Sequence, residues 1–201
     1  MLDGDAKSPH LKWVKSSNLP RECDRHSHNS TKPKEKIRTR NRYTLMNRQT
    51  LLEEYARGRR DFSGENLAQI DLSGCNLTSI DLREANLHQA NLAGAILSPA
   101  NLQHANLQET CLRHANLNQA DLERANLTDA VLSAADLREG KLRGASLVRA
   151  RFIGADLRGA ILQDAVLQDP NFLHATMPDG RFYTGCVSDI ALIQTLFPQI
   201  F

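Results

Sequence analysis

Aromatic residues are scarce in this sequence, at 5% of 201 positions, so its core is not built around packed rings. No stretch supplies the roughly twenty consecutive apolar residues that a membrane-crossing helix needs. The opening Met1-Leu2-Asp3-Gly4-Asp5 lacks a basic start followed by an apolar run, which argues against a secretory signal and leaves the cytoplasm as the expected compartment. The four cysteines, Cys23, Cys75, Cys111 and Cys186, have the spacing of neither a disulfide framework nor a zinc site. Glycine-rich phosphate loops and nucleophile signatures are also missing. The expectation is a protein that is not an enzyme, with no catalytic residue, cofactor, metal or small-molecule substrate.

What the sequence does have is a period. From Phe62 to Phe182 a large apolar residue falls at every fifth position, 25 in all: 20 Leu, four Phe (Phe62, Phe152, Phe172, Phe182) and Met177. The residue two places earlier is Ala in 16 of the 25, and the one between is Asp or Asn in 15. The unit is clean in Ala85-Asn86-Leu87, Ala105-Asn106-Leu107 and Ala120-Asp121-Leu122. A period of five would turn about 140° per step on an α-helix and spiral around its surface. On a continuous strand an odd period would send alternate Leu residues to opposite faces. Only a chain that turns a corner every five residues keeps all 25 on one side. Ala and Leu then point inward, Asp or Asn points outward, and pairs such as Ser73-Gly74 and Arg143-Gly144 make the corner.

With that motif the stretch from 60 to 185 resembles the pentapeptide-repeat family. The resemblance implies an all-β solenoid, a right-handed quadrilateral β-helix with four five-residue sides per coil. It gives about six coils, roughly 30 Å of stacked layers. The expected organisation is a disordered basic leader at 1–45, an N-terminal capping helix at 46–60, the β-helix at 61–185 and a C-terminal capping or dimerisation helix at 186–201.

Residues 1–45 carry 11 Lys or Arg against five Asp or Glu, whereas the rest carries 14 against 18. The run Lys32 to Arg40 suits nucleic acid or an anionic surface, but a solvated tail explains it as well and is the reading preferred here. A start of translation at Met46 is a further alternative. Cys23, His26 and His28 lie in this leader and are read as tail rather than metal ligands. Thr50 and Glu53 have capping-box spacing, which predicts a helix over 50–58 that lids the first coil. Glu65 falls in an inward slot of that coil, so the mouth is expected to be wet. Cys75 reads as core filler and Cys111 as exposed. After the turn signal Pro178-Asp179-Gly180, Ser188-Asp189 starts an apolar helix through Phe197. It either closes the last coil or makes a homodimer contact, the second being what the resemblance implies.

Residues 20 apart become stacked neighbours, which converts sequence into surface rows. Asn66, Asn86, Asn106 and Asn126 form one row, expected to be an amide ladder. Arg138 and Arg158 form another, with Lys141, Arg143, Arg149 and Arg151 nearby, so 137–160 holds six basic residues against two acidic. Outward slots of the later coils turn apolar at Val131, Val148, Ile153, Ile161, Val166 and Leu173. His88, His104, His114 and His174 occupy corners, where solvated surface is the ordinary reading. The sequence therefore points to a scaffold for an unidentified protein partner, bound through Arg138, Arg143, Arg151, Arg158, Ile153 and Leu173. The alternative comes from a branch of the family that mimics DNA and inhibits or protects DNA gyrase or topoisomerase. That alternative needs a dominant negative surface, which the late arginines oppose.

Overall fold

Corner chemistry decides this fold. In the computed structural model, which describes residues 45–184, the N–H two places before the next Leu bonds back three residues at nearly every corner, as in Glu65 N to Phe62 O at 3.3 Å. The residue before that N–H has a positive φ, 65° at Gly64 and between 52° and 61° at sixteen residues other than glycine. A three-residue bond with positive φ at the third position is the type II turn. It redirects the chain at nearly every corner, the one after Leu97 containing instead the cis peptide Ser98-Pro99.

Four corners close a coil, and parallel bridges join residues 20 apart throughout, from Asp61 with Asp81 to Asp156 with Thr176. Six layers stack on each of four sides. Side one starts at Asp61, side two at Asn66, side three at Asp71 and side four at Asn76. Each side contributes one bridged residue per layer instead of an extended strand, because the corner returns after five residues. The bridging bonds are short and regular: Phe62 N donates to Asp81 O at 2.8 Å, and Asp81 N to Arg60 O at 2.8 Å.

The interior follows the expected slots. The central residues from Phe62 to Leu162 are buried, with Ala beside them, and Phe152 stacks on Phe172 at 4.9 Å. Cys75 is buried in an Ala-type slot. Thr110, buried in another, donates its hydroxyl to Leu87 O at 2.8 Å, which removes the cost of an unpaired polar atom.

Three details differ from expectation. The N-terminal helix α1 is Arg48–Ala56, and its N-cap is Asn47, whose side chain accepts Thr50 N–H at 2.8 Å. Thr50 is thus a helical residue, not the cap, because Asn47 already supplies the oxygen. Leu51 joins the core, Met46 N donates to Asn66 O at 2.9 Å, and the Tyr55 hydroxyl donates to Thr78 O at 2.8 Å. Second, Glu65 is only 8% exposed, and its carboxylate is held by Arg59 at 2.6 Å, so the mouth is not wet at this residue. Arg59 also grips Glu54 of α1 and lies over the Phe62 ring at 4.3 Å. Third, the chain reverses after Met177. Thr176 pairs antiparallel with Phe182, and Tyr183 exchanges bonds of 2.8 Å with His174 and Ala175. The reversal turns Phe182 outward, at 60% exposed, and puts Tyr183 into the core at 4%. The basic leader through residue 44 and the C-terminal helix expected after Ser188 lie outside the described residues.

Candidate interaction surface

Most of the polar pattern is consumed by the fold. All 15 Asp and Asn residues of the repeat slot accept the backbone N–H two places on, at 2.9 to 3.4 Å. This side-chain turn positions the first corner residue, which is why the slot prefers a short oxygen-bearing side chain. On side two the amide ladder is present: Asn86 to Asn66 and Asn106 to Asn86 at 3.1 Å, and Asn126 to Asn106 at 3.4 Å.

Most of the basic side chains are consumed as well. Arg138 forks onto Asp136 at 2.7 Å and Arg158 onto Asp156 at 2.6 Å, both on side four. Arg143 on side one reaches Asp164 at 3.3 Å, and Lys141 reaches Asp121 at 3.5 Å. Arg149 on side two holds Asp129 at 2.5 Å, and Arg83 on side one holds Asp81 at 2.7 Å. These bonds keep Asp129, Asp136 and Asp156 below the usual carboxylate range. The six site residues read from the sequence therefore do not share one side. Arg138 and Arg158 lie on side four, Arg143 on side one, and Arg151, Ile153 and Leu173 on side three.

Side three is different in two respects. Its outward row runs Asp71, Asn91, Cys111, Val131, Arg151, Asn171, so three adjacent coils give up the Asp/Asn turn and the next returns to it. No other side abandons the rule for as long in mid-stack. Side three also carries Arg113 and Arg151 against Asp71 alone, and Asp71 is met by Arg48 at 3.6 Å. Neither Arg113 nor Arg151 makes an ion pair among the described residues, and Arg151 touches Asp129 only through its field. Both are exposed, while Val131 and Leu173 are half-buried and Ile153 is exposed. Sequence reasoning missed Arg113 because it lies 25 residues before the Arg-rich run. Sorting every Arg by its row and pairing it with row neighbours would have found it.

His104, His114 and His174 are exposed and His88 half-buried, and among the described residues no three His, Cys, Asp or Glu are placed to hold a metal. No described helix is long and apolar enough to cross a membrane.

A profile of pentapeptide repeats matches the chain in eight copies, over 61–98, 80–119, 100–138, 130–169 and 145–179. The chain belongs to the pentapeptide-repeat family. Its coil is the family's right-handed β-helix, and pentapeptide-repeat proteins are generally structural or interaction scaffolds. Among solved structures it is similar to HetL, a pentapeptide repeat protein involved in heterocyst differentiation regulation from the cyanobacterium Nostoc sp. strain PCC 7120. The identity is 24%, covering 69% of this chain and all of HetL, with a TM-score of 0.39. A pentapeptide repeat protein from the cyanobacterium Cyanothece 51142 is 26% identical over 61% of this chain and 94% of its own, with a TM-score of 0.46. QnrB1, a plasmid-mediated fluoroquinolone resistance protein, is 17% identical over 70% of this chain and 89% of its own, with a TM-score of 0.34. No curated protein matches the chain in sequence.

Proposed function

We propose that this pentapeptide-repeat protein is a non-enzymatic scaffold that presents one rigid side to a protein partner. The observation that carries the reading is the run Cys111, Val131, Arg151 on side three, where the turn-forming oxygen is absent from three successive coils. A sequence that obeys its local rule at 15 positions and gives it up for three successive mid-stack coils on one side marks that patch for something other than folding. Exposed Ile153 and half-buried Leu173 extend the patch toward the last coil, which suits a contact surface.

The DNA-mimic alternative needs a continuous negative surface. Six carboxylates that would supply it, Asp81, Asp121, Asp129, Asp136, Asp156 and Asp164, each sit against an Arg or Lys. That pairing favours the scaffold.

The test uses the full chain. In a DNA gyrase supercoiling assay the scaffold reading expects neither inhibition nor drug protection; either effect would establish the mimic instead. Crosslinking the chain in extract of its own cells should yield a protein whose crosslinks map to side three.

A further inference from the structure

Side three has a defined layout. Cys111 and Arg113 stand in one coil, Val131 and Ser133 in the next, and Arg151 and Ile153 in the third. The parallel bridges Cys111 with Val131 and Val131 with Arg151 fix these coils in register. Arg113 and Arg151 therefore occupy opposite corners of a small grid, two layers or about 10 Å apart along the stack. Between them lie Val131, half-buried, and the short side chain of Ser133. Ile153 completes the apolar part, exposed at the edge.

Charge is what selects the occupant. Every other Arg or Lys on sides one, two and four of the coils, except Arg60 and Arg124, reaches a carboxylate of its own. Arg60 lies over the Tyr55 ring at 3.9 Å, which leaves Arg124 as the one cation of the coils off side three with no ion pair among the described residues. Side three thus leaves two guanidiniums facing solvent across an apolar strip. A guanidinium fork matches a carboxylate bidentately, and the strip excludes a purely hydrophilic ligand from half of its contacts.

Resting on the scaffold reading, we infer that side three docks an acidic peptide segment of the partner, with an apolar side chain on Val131 and Ile153 and carboxylates on Arg113 and Arg151. Charge complementarity steers the approach, and the apolar residue fixes the register.

The test uses full-length protein and short fluorescent peptides in anisotropy titrations. The probe is Glu-Glu-Leu-Leu-Glu-Glu, with Lys-Lys-Leu-Leu-Lys-Lys and Glu-Glu-Ser-Ser-Glu-Glu as controls and a duplex DNA oligonucleotide as competitor. Only the first peptide should bind, and R113E/R151E should weaken it by about tenfold or more. The pair R138E/R158E, on side four, should leave binding unchanged. All of these residues are exposed, and a thermal melt of each variant checks that its coils are intact. Equal binding by R113E/R151E, equal binding of the two acidic peptides, displacement by the oligonucleotide, or no binding of any peptide overturns the inference. If the peptides fail while extract crosslinks still map a protein to another side, the scaffold reading survives without this surface. If neither experiment finds a partner, the scaffold reading falls too.

Discussion

Asn86 donates its side-chain amide to the Asn66 oxygen one coil below, at 3.1 Å, while its own oxygen accepts the Asn106 amide at 3.1 Å and the His88 backbone N–H at 3.2 Å. One short side chain thus fixes its own corner and binds two neighbouring coils. Asn106 does the same, donating to Asn86 and accepting from Gln108 N and Asn126. Asn106→Ala should cost about 1 to 2 kcal/mol, the net worth of such half-solvated bonds. Asn106→Asp keeps the acceptor for the corner but loses the donor and sets a charge against the Asn86 oxygen, so it should cost at least as much. Urea unfolding at constant slope measures both. An Asp variant as stable as the parent would mean that the ladder contributes nothing.

Arg59 joins Glu54 of α1 to Glu65 of the first coil, and Glu65 is the more buried partner, its side chain 11% exposed against 37% for Arg59. Removing Arg59 strands a carboxylate in an inward slot, whereas Glu65→Ala installs the residue that the repeat uses elsewhere. Arg59→Ala should therefore destabilise by about 2 kcal/mol, discounted for its partial exposure, and Glu65→Ala by less. The double variant should recover most of the Arg59→Ala loss. A double variant showing the sum of both losses would remove the case for an uncompensated charge.

The coil was legible in the sequence because its determinant is periodic: an inward Leu every five residues allows one backbone path, and every row follows from it. The amide ladder of Asn66, Asn86, Asn106 and Asn126 was legible for the same reason. The surface was less legible. Charge density pointed to Arg138, Arg143 and Arg158, but what decides availability is the nearest carboxylate, and Asp136, Asp164 and Asp156 take those three. Glu65 misled because its partner, Arg59, reaches back from outside the repeat. Composition sees charges; only the fold sees which of them meet.

Acid should unfold the coils from their carboxylates. The Ser63 hydroxyl and N–H hold Asp61 low, the Ser73 N–H holds Asp71 low, and Arg138, Arg158 and Arg149 hold Asp136, Asp156 and Asp129 low. A carboxyl whose folded pKa lies below its unfolded value near ~3.9 binds its proton more readily when unfolded. Its contribution is complete above the unfolded pKa and disappears as pH falls through the folded one. The thermal midpoint should stay level from neutral pH to about 5 and drop below about 4. Calorimetry across that range checks it, and a midpoint unchanged at about pH 3 would contradict the role given to these five groups.

The end of the stack separates periodicity from structure. By the five-residue count Phe182 is the last inward residue, yet it is 60% exposed, and Tyr183 is buried at 4%. The cause is the reversal at Met177, where Gly180 N donates to Met177 O and Met177 N to Arg181 O, both at 2.8 Å. Reversal exchanges the faces of neighbouring residues, since alternate side chains of an extended segment point opposite ways. Among the described residues the ring contact of Phe182 is with His174, centroids 5.8 Å apart, and both side chains are exposed. Phe182→Ala should thus cost about 0.5 kcal/mol or less, as expected of a surface truncation. Tyr183→Ala opens the end of a core that includes Phe172, Ala175 and Met177, and should cost roughly 2 to 4 kcal/mol. Thermal melts of the two variants side by side decide the matter. A larger loss at Phe182 than at Tyr183 would show that the coil continues in register through residue 182 and that the reversal does not form in solution.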